Sequence, residues 1–236
     1  MSTMEAFYRE CALEPAAHVK RYQGIPMLCE DGLHELIAAE AAALLPKGAS
    51  VLDVGCGQGA LSLRLADQGF RVDACDQFDH CKCKDRVTFI HERAEDAAVG
   101  AAYDAIFLVE LLEHVEAPFA LLKRYAGRLK PGGRLFVSTP NVDSDLSRAW
   151  FFLKGRHWYF DEQCVERDGH ITPIHAFQVR HHCRELGLSV VSQRTVLENR
   201  APRGAFGAAV LLLRAFQLLR GAPRNDGKIA LWVLQA

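Results

Sequence analysis

The chain has 236 residues, 50 % of them hydrophobic, with a formal charge of −1 and a pI near 6.8. That length suits one sizeable α/β domain with its own core and is short for two, and so nearly neutral a chain has no overall field to gather a polyanion, so a nucleic-acid partner is not expected. Eight cysteines (Cys11, Cys29, Cys56, Cys75, Cys81, Cys83, Cys164, Cys183) are scattered over apolar and motif positions with no signal peptide ahead of them, which points to reduced thiols in a cytoplasmic protein.

In chain order, the periodicity predicts a helix near 4–22, a second over 31–45, a strand at 50–54 and a helix over 59–68. Strands at 70–75, 87–91 and 103–109 follow, then a helix over 116–129 and a strand at 133–139. A helix over 173–186 and strands at 188–197 and 228–235 complete the pattern. Strand and helix alternate as in a parallel sheet covered on both faces. There are no internal repeats. Residues 1–236 therefore read as a single domain, with insertions at 141–172 and 199–227 where the alternation breaks.

The stretch "VLDVGCGQGALSLRLADQGFRVDACDQF" carries three glycines at alternate positions between a strand and a helix. Such a turn lets a ligand approach the backbone, and the helix start receives an anionic group. The next strand ends at Asp76, where a carboxylate accepts hydrogen bonds from ribose hydroxyls. Gly55, Gly57 and Ala60 also satisfy the loose dinucleotide fingerprint, so at this point an NAD(P)-linked oxidoreductase stands beside other nucleotide-type readings.

The motifs "LDVGCGQG", "YDAIFLVELLEHVEAP" and "LLKRYAGRLKPGGRLFVSTPN", in this order and spacing, resemble those of the class I S-adenosylmethionine-dependent methyltransferases along nearly the whole chain. The resemblance implies a Rossmann-like seven-stranded α/β sheet with helices on both faces and an antiparallel last strand, supplied by "KIALWVLQA". It implies S-adenosyl-L-methionine as cofactor, with Asp53 and the loop Gly55, Cys56, Gly57 and Gly59 at its amino-acid end. Asp76 would hold the ribose hydroxyls, Glu95 and Asp96 the adenine amino group, and Val109 and Glu110 the methionine moiety, with Gln77 a further cofactor contact. Plainer readings accompany three of these: Asp53 as a carboxylate capping the glycine turn, Asp76 as turn chemistry, and Glu95 as an acidic helix start.

Within the class, "ELLEH" and "DGHITPIHAF" are similar to segments of the ubiquinone-biosynthesis O-methyltransferases. Small-RNA 2′-O-methyltransferases place two glutamates and two histidines similarly, around a divalent metal. Glu110, Glu113 and His114 stand at i, i+3 and i+4, so a helix starting at once would project all three to one face. With His170 they make a candidate site for Mg²⁺, Mn²⁺ or Zn²⁺ that would lower the pKa of an acceptor hydroxyl, against a plain hydrogen-bonded cluster. His114, His170 and His175 compete as catalytic bases. His175 also fits a solvated helix start, while His181 and His182 read as surface positions. "CKC" at 81–83 reads as an ordinary loop, lacking a second metal-ligating pair at zinc spacing.

The insertion "SRAWFFLKGRHWYF" from Ser147 interleaves aromatics with basic residues and fits either a lid over an apolar acceptor or an aromatic mini-core. In "GAFGAAVLLLRAFQLLR" at 204–220, Ala208, Leu211, Leu212, Ala215, Phe216, Leu218 and Leu219 gather on one side of a helix, opposite Arg214, Gln217 and Arg220. That stripe would pack internally, form a dimer contact or meet a membrane surface, with Arg200, Arg203 and Arg224 near anionic headgroups. The expectation is an O-methyltransferase acting on a small aromatic or quinone-precursor hydroxyl, or on a lipid-linked sugar. A non-catalytic cofactor-binding regulatory protein is the second alternative to it.

Overall fold

The computed structural model describes residues 19–236 apart from 101, 200, 201, 203, 222 and 223. It opens with a two-stranded hairpin, β1 (Arg21–Tyr22) and β2 (Ile25–Pro26), turned by Gln23 and Gly24 at φ of 47° and 84°. The helix expected near 4–22 is thus replaced by a strand at 21–22, because a left-handed pair reverses the chain there. Residues 4–18 of that expectation lie outside the described residues.

The main sheet contains β3 (Ser50–Val54), β4 (Arg71–Asp76), β5 (Thr88–His91), β6 (Tyr103–Val109), β7 (Leu129–Pro140), β8 (Ser189–Glu198) and β9 (Gly227–Gln235). Their order is β5-β4-β3-β6-β7-β9-β8, with β9 antiparallel to both neighbours. Buried on both faces, the central strands are apolar at successive positions. Along β3, Val51 enters one core and Leu52 and Val54 the other; along β6, Phe107 enters the first and Ile106 and Leu108 the second. Phe107 pairs with Phe136 of β7, their rings stacked 4.7 Å apart.

The first face is covered by α1 (Leu33–Leu44), through Leu33, Ile37 and Ala41, and by α2 (Ala60–Asp67), through Leu61 and Leu65. These residues recur every three to four positions, the stripe that buries one side of a helix. On the second face lie α3 (Pro118–Ala126), with Leu121, Leu122 and Tyr125, and α6 (Ala176–Glu185), with Val179 and Cys183. The strand order reverses on either side of β3, so a crevice opens beyond the carboxyl ends of β3, β4 and β6.

The two insertions form one structure. Residues 141–172 contain α4 (Asp145–Lys154) and α5 (Glu162–Asp168), and residues 199–227 contain α7 (Gly204–Leu219), which packs on α4. Trp150, Trp158 and Phe206 make an aromatic cluster between them, with centroids 4.9–5.7 Å apart. At their bases, the Asn141 side chain donates to Gly227 O (2.8 Å) and Asn225 Oδ1 (2.7 Å).

The orientation of α7 excludes internal packing of its apolar stripe. Gly207, Val210 and Gln217 are buried, while Leu211, Leu212, Phe216, Leu218 and Leu219 are exposed. Arg214 points inward, paired with Asp226 and 3.4 Å from Asp145, both buried. Gln217 lies between Asp145 and Arg148, its amide set to donate to the first (3.0 Å) and accept from the second (3.2 Å). Charge pairing in a shielded place therefore decides which side of the helix faces in. Arg214→Met should destabilise the fold by about 3 kcal/mol, because it strands buried carboxylates. Equilibrium urea denaturation measures this, and a loss below about 0.5 kcal/mol, typical of an exposed substitution, would contradict the inward orientation.

Candidate active site

The turn from β3 to α2 is bound to β4 by bonds from Gly55 N and Cys56 N to Cys75 O (2.9 and 3.1 Å). Gly55, Gly57 and Gly59 adopt φ of 71°, 54° and 91°, a region glycine enters without strain. Two of them are also needed by the protein's own packing: a Cβ on Gly55 would lie 2.8 Å from Leu111 Cδ1, and one on Gly59 2.6 Å from Cys83 Sγ. Cys81 and Cys83 of "CKC" are buried against the turn, 3.7 Å apart.

Asp76 closes this turn from the next strand. Its carboxylate accepts from Gly57 N (2.8 Å) and Phe78 N (2.9 Å), and burial holds its carboxyl above the usual range. Asp53 lies beneath, accepting from Ser62 Oγ of α2 (2.6 Å), and burial drives its carboxyl up to about 7. A cavity of about 700 Å³ opens above. Every residue assigned to the cofactor lines it except Asp96 and, behind the wall, Asp53 and Gly59. Gln58 also lines it, and its buried amide has no hydrogen-bond partner for either polar atom.

At the end of β6 the chain turns sharply. Glu110 sits at φ 49°, a costly region for a residue with a side chain. Ser138 holds it there: Glu110 N donates to Ser138 Oγ (3.1 Å), and that hydroxyl donates to Glu110 Oε1 (2.8 Å). The kink prevents a helix from starting at once, and a single 3₁₀ turn forms over Leu112–His114. Glu110 is consequently turned toward Ser138, apart from the grouping of Glu113, His114 and His170.

Those three residues have ligand atoms within 4.8 Å of one another, the single such group found among the described residues. His170 reaches it because Ile171 N and Thr172 N donate to Glu113 O (2.9 and 3.0 Å) and Thr172 Oγ1 donates to Val115 O (3.0 Å). His114 Nδ1 is bonded to Gly169 O (3.2 Å) and His170 Nδ1 to Tyr159 O (3.1 Å), which leaves both Nε2 atoms free to act as ligands. Both carboxylate oxygens of Glu113 are buried without a hydrogen-bond partner. Burial pushes the Glu113 carboxyl well above its usual range, His114 down to about 4, and His170 down as well. His114 and His170 face the same cavity as the glycine turn.

His175 is elsewhere. It caps α6, pairs with Asp143 through Nδ1 (2.9 Å) and does not line the cavity. His181 is exposed beside Glu185, while His182, also against Glu185, is half-buried with its ring stacked on Phe119 of α3 at 4.1 Å, so only the first is the surface position expected. The aromatic insertion divides its residues: Trp150 and Trp158 form the mini-core, while Tyr159 lines the cavity. Tyr159, from the insertion expected as a lid or mini-core, and Gln58, inside the glycine motif, also line the wall, as do Glu30 and Arg167, which the sequence did not mark. Gln58 could have been found in that motif; Glu30 and Arg167 arrive from distant segments with no local signal.

Known proteins are similar to the chain in sequence and in fold. The chain is 40 % identical over 112 residues to a ubiquinone biosynthesis O-methyltransferase of Xanthomonas axonopodis pv. citri, a match covering 43 % of this chain and 47 % of the relative. It is 45 % identical over 105 residues to the protein of that name from Xylella fastidiosa strain M23, covering 40 % and 43 %. The match spans about half the length of these relatives. A solved S-adenosylmethionine-dependent methyltransferase from Archaeoglobus fulgidus has the same fold, with a TM-score of 0.56 at 16 % identity over 86 % of this chain and 94 % of that one. Residues 26–193 match the family model of the methyltransferase domain, and the chain belongs to that family.

Proposed function

We propose that the chain transfers the methyl group of S-adenosylmethionine to a hydroxyl oxygen held beside Glu113, His114 and His170. The observation that carries this reading is the buried, unpartnered Glu113 carboxylate next to two free imidazole Nε2 atoms, beside the cavity that the glycine turn opens into. The unpartnered Gln58 amide and the Asp76 carboxylate in the same wall fit a nucleoside with an amino-acid tail. When bound, S-adenosylmethionine supplies a methyl carbon already activated on a sulfonium, and a Mg²⁺, Mn²⁺ or Zn²⁺ ion supplies a Lewis acid that lowers the pKa of a hydroxyl.

The chain's own part is positional. Asp76 offers its remaining lone pairs to ribose hydroxyls, Glu95 stands at the adenine end, and Val109 and Glu110 border the reacting end. Glu113, His114 and His170 would hold the ion, with Gly169 and Tyr159 fixing the imidazole orientations. The names of the curated relatives support a phenolic quinone precursor as acceptor. A hydroxyl of a lipid-linked sugar uses the same chemistry.

Asp76→Asn should weaken S-adenosylhomocysteine binding by about 1.5–3 kcal/mol, the loss of hydrogen bonds to a charged group. Calorimetry on the folded variant measures it, and unchanged affinity would remove Asp76 from the cofactor site. Chelator should abolish transfer of labelled methyl to fractionated cell extract, and Mn²⁺ or Zn²⁺ should restore it. Glu113→Gln should lose ion binding and turnover together while keeping cofactor affinity, as expected of a group that acts on the acceptor. Full transfer in chelator would leave these three residues a structural cluster.

A further inference from the structure

We infer that α4 and α7 form a docking surface for an anionic lipid membrane. The orientation of α7 is fixed from within: buried Gly207, Val210 and Gln217 and the largely covered Arg214 repeat at three- and four-residue spacing, and Arg214 is held by Asp145 and Asp226. Rolling the helix to bury its leucines would expose those residues and break the ion pairs. The apolar side therefore stays outward, with Leu212 and Leu219 72 % and 87 % exposed. The adjoining α4 adds Phe151, Leu153 and Phe152, the last 87 % exposed. Apolar exposure gathered in this way marks an interaction site.

Charge selects the occupant. α7 contains no acidic residue, and the one carboxylate of α4, Asp145, is buried. The exposed charged side chains of the two helices and the turn after α7 are Arg148, Lys154 and Arg220, all cationic. Nearby, Arg156 is shared with Asp161 and Glu162, and Arg224 pairs with Asp226. An apolar face flanked by cations fits acyl chains bordered by anionic headgroups. A second copy of the same face would instead bring like charges together.

Among the described residues no helix is long and apolar enough to cross a membrane. With 16 residues, α7 is about 24 Å long and would lie in the interface. The insertion that contains α4 also supplies Tyr159, Arg167 and His170 to the cavity wall, so the docked surface and the acceptor end belong to one substructure. Arg200 and Arg203, expected to assist from the sequence, lie outside the described residues. The inference does not rest on the methyl-transfer reading, because docking is measured without cofactor.

The test is flotation with phosphatidylcholine vesicles, with and without phosphatidylglycerol, at low and high salt. The wild type should float only with the anionic vesicles and be released by salt. Leu212→Glu/Phe216→Glu should lower the partition coefficient about tenfold or more, with melting temperature and S-adenosylhomocysteine affinity unchanged, since both side chains are exposed and outside the cavity. Lys154→Glu/Arg220→Glu should float less and lose its salt dependence. Absence of wild-type flotation, or equal flotation of the Leu212/Phe216 variant, overturns the inference. So does sedimentation velocity showing a dimer that this variant dissolves while vesicles are ignored, which assigns the face to self-association.

Discussion

The carbonyl oxygen of Glu113 accepts two backbone hydrogen bonds, from Ile171 and Thr172, and the grouping of Glu113, His114 and His170 depends on that tie. With the bonds from Thr172 Oγ1 to Val115 O and between His114 Nδ1 and Gly169 O, it runs the segment after α5 beside the 3₁₀ turn, so that His170 meets His114. The tie also fixes the outer ring nitrogens, since Gly169, whose carbonyl is bonded to His114, immediately precedes His170. On the opposite side, Asp76 does comparable work for the glycine turn by accepting from Gly57. Two local closures, one at each end of a single cavity, thus convert strand ends and loops into a fixed constellation.

Much of this arrangement was legible in the residues because it is local or periodic. The seven strands follow from apolar runs at sheet spacing, and the antiparallel placement of β9 follows from the family resemblance. The glycine turn and Asp76 are neighbours through strand pairing, which a βαβ pattern implies. What escaped was set by tertiary context. Ser138, 28 positions away, stabilises the left-handed Glu110 that prevents an immediate helix and separates this residue from Glu113. The helix-start reading of His175 was legible in the sequence, but its pairing with Asp143, 32 positions away, was not. The stripe of α7 left an inward and an outward face both open, and the partners that decide between them, Asp145 and Asp226, are not visible from the helix itself.

The core sheet alone does not name a reaction. Function resides in what the loops place over the sheet. In this chain the loops bring two things together: His114 and His170 at the cavity wall with Glu113 buried beside them, and a helix pair whose exposed side is apolar and basic. An acceptor with a reactive hydroxyl on a lipid-soluble body would make use of both.

The central claim is that the cofactor turn and the Glu113, His114 and His170 trio serve one reaction centre. Crystals grown with S-adenosylhomocysteine and Zn²⁺, measured at the zinc absorption edge, test it most directly. An anomalous peak is expected about 2.0–2.2 Å from the Glu113 carboxylate and both Nε2 atoms, with the cofactor's sulfur facing it across the cavity and its ribose on Asp76. A bound cofactor with no peak at the trio, or with its sulfur directed away from it, would contradict the account.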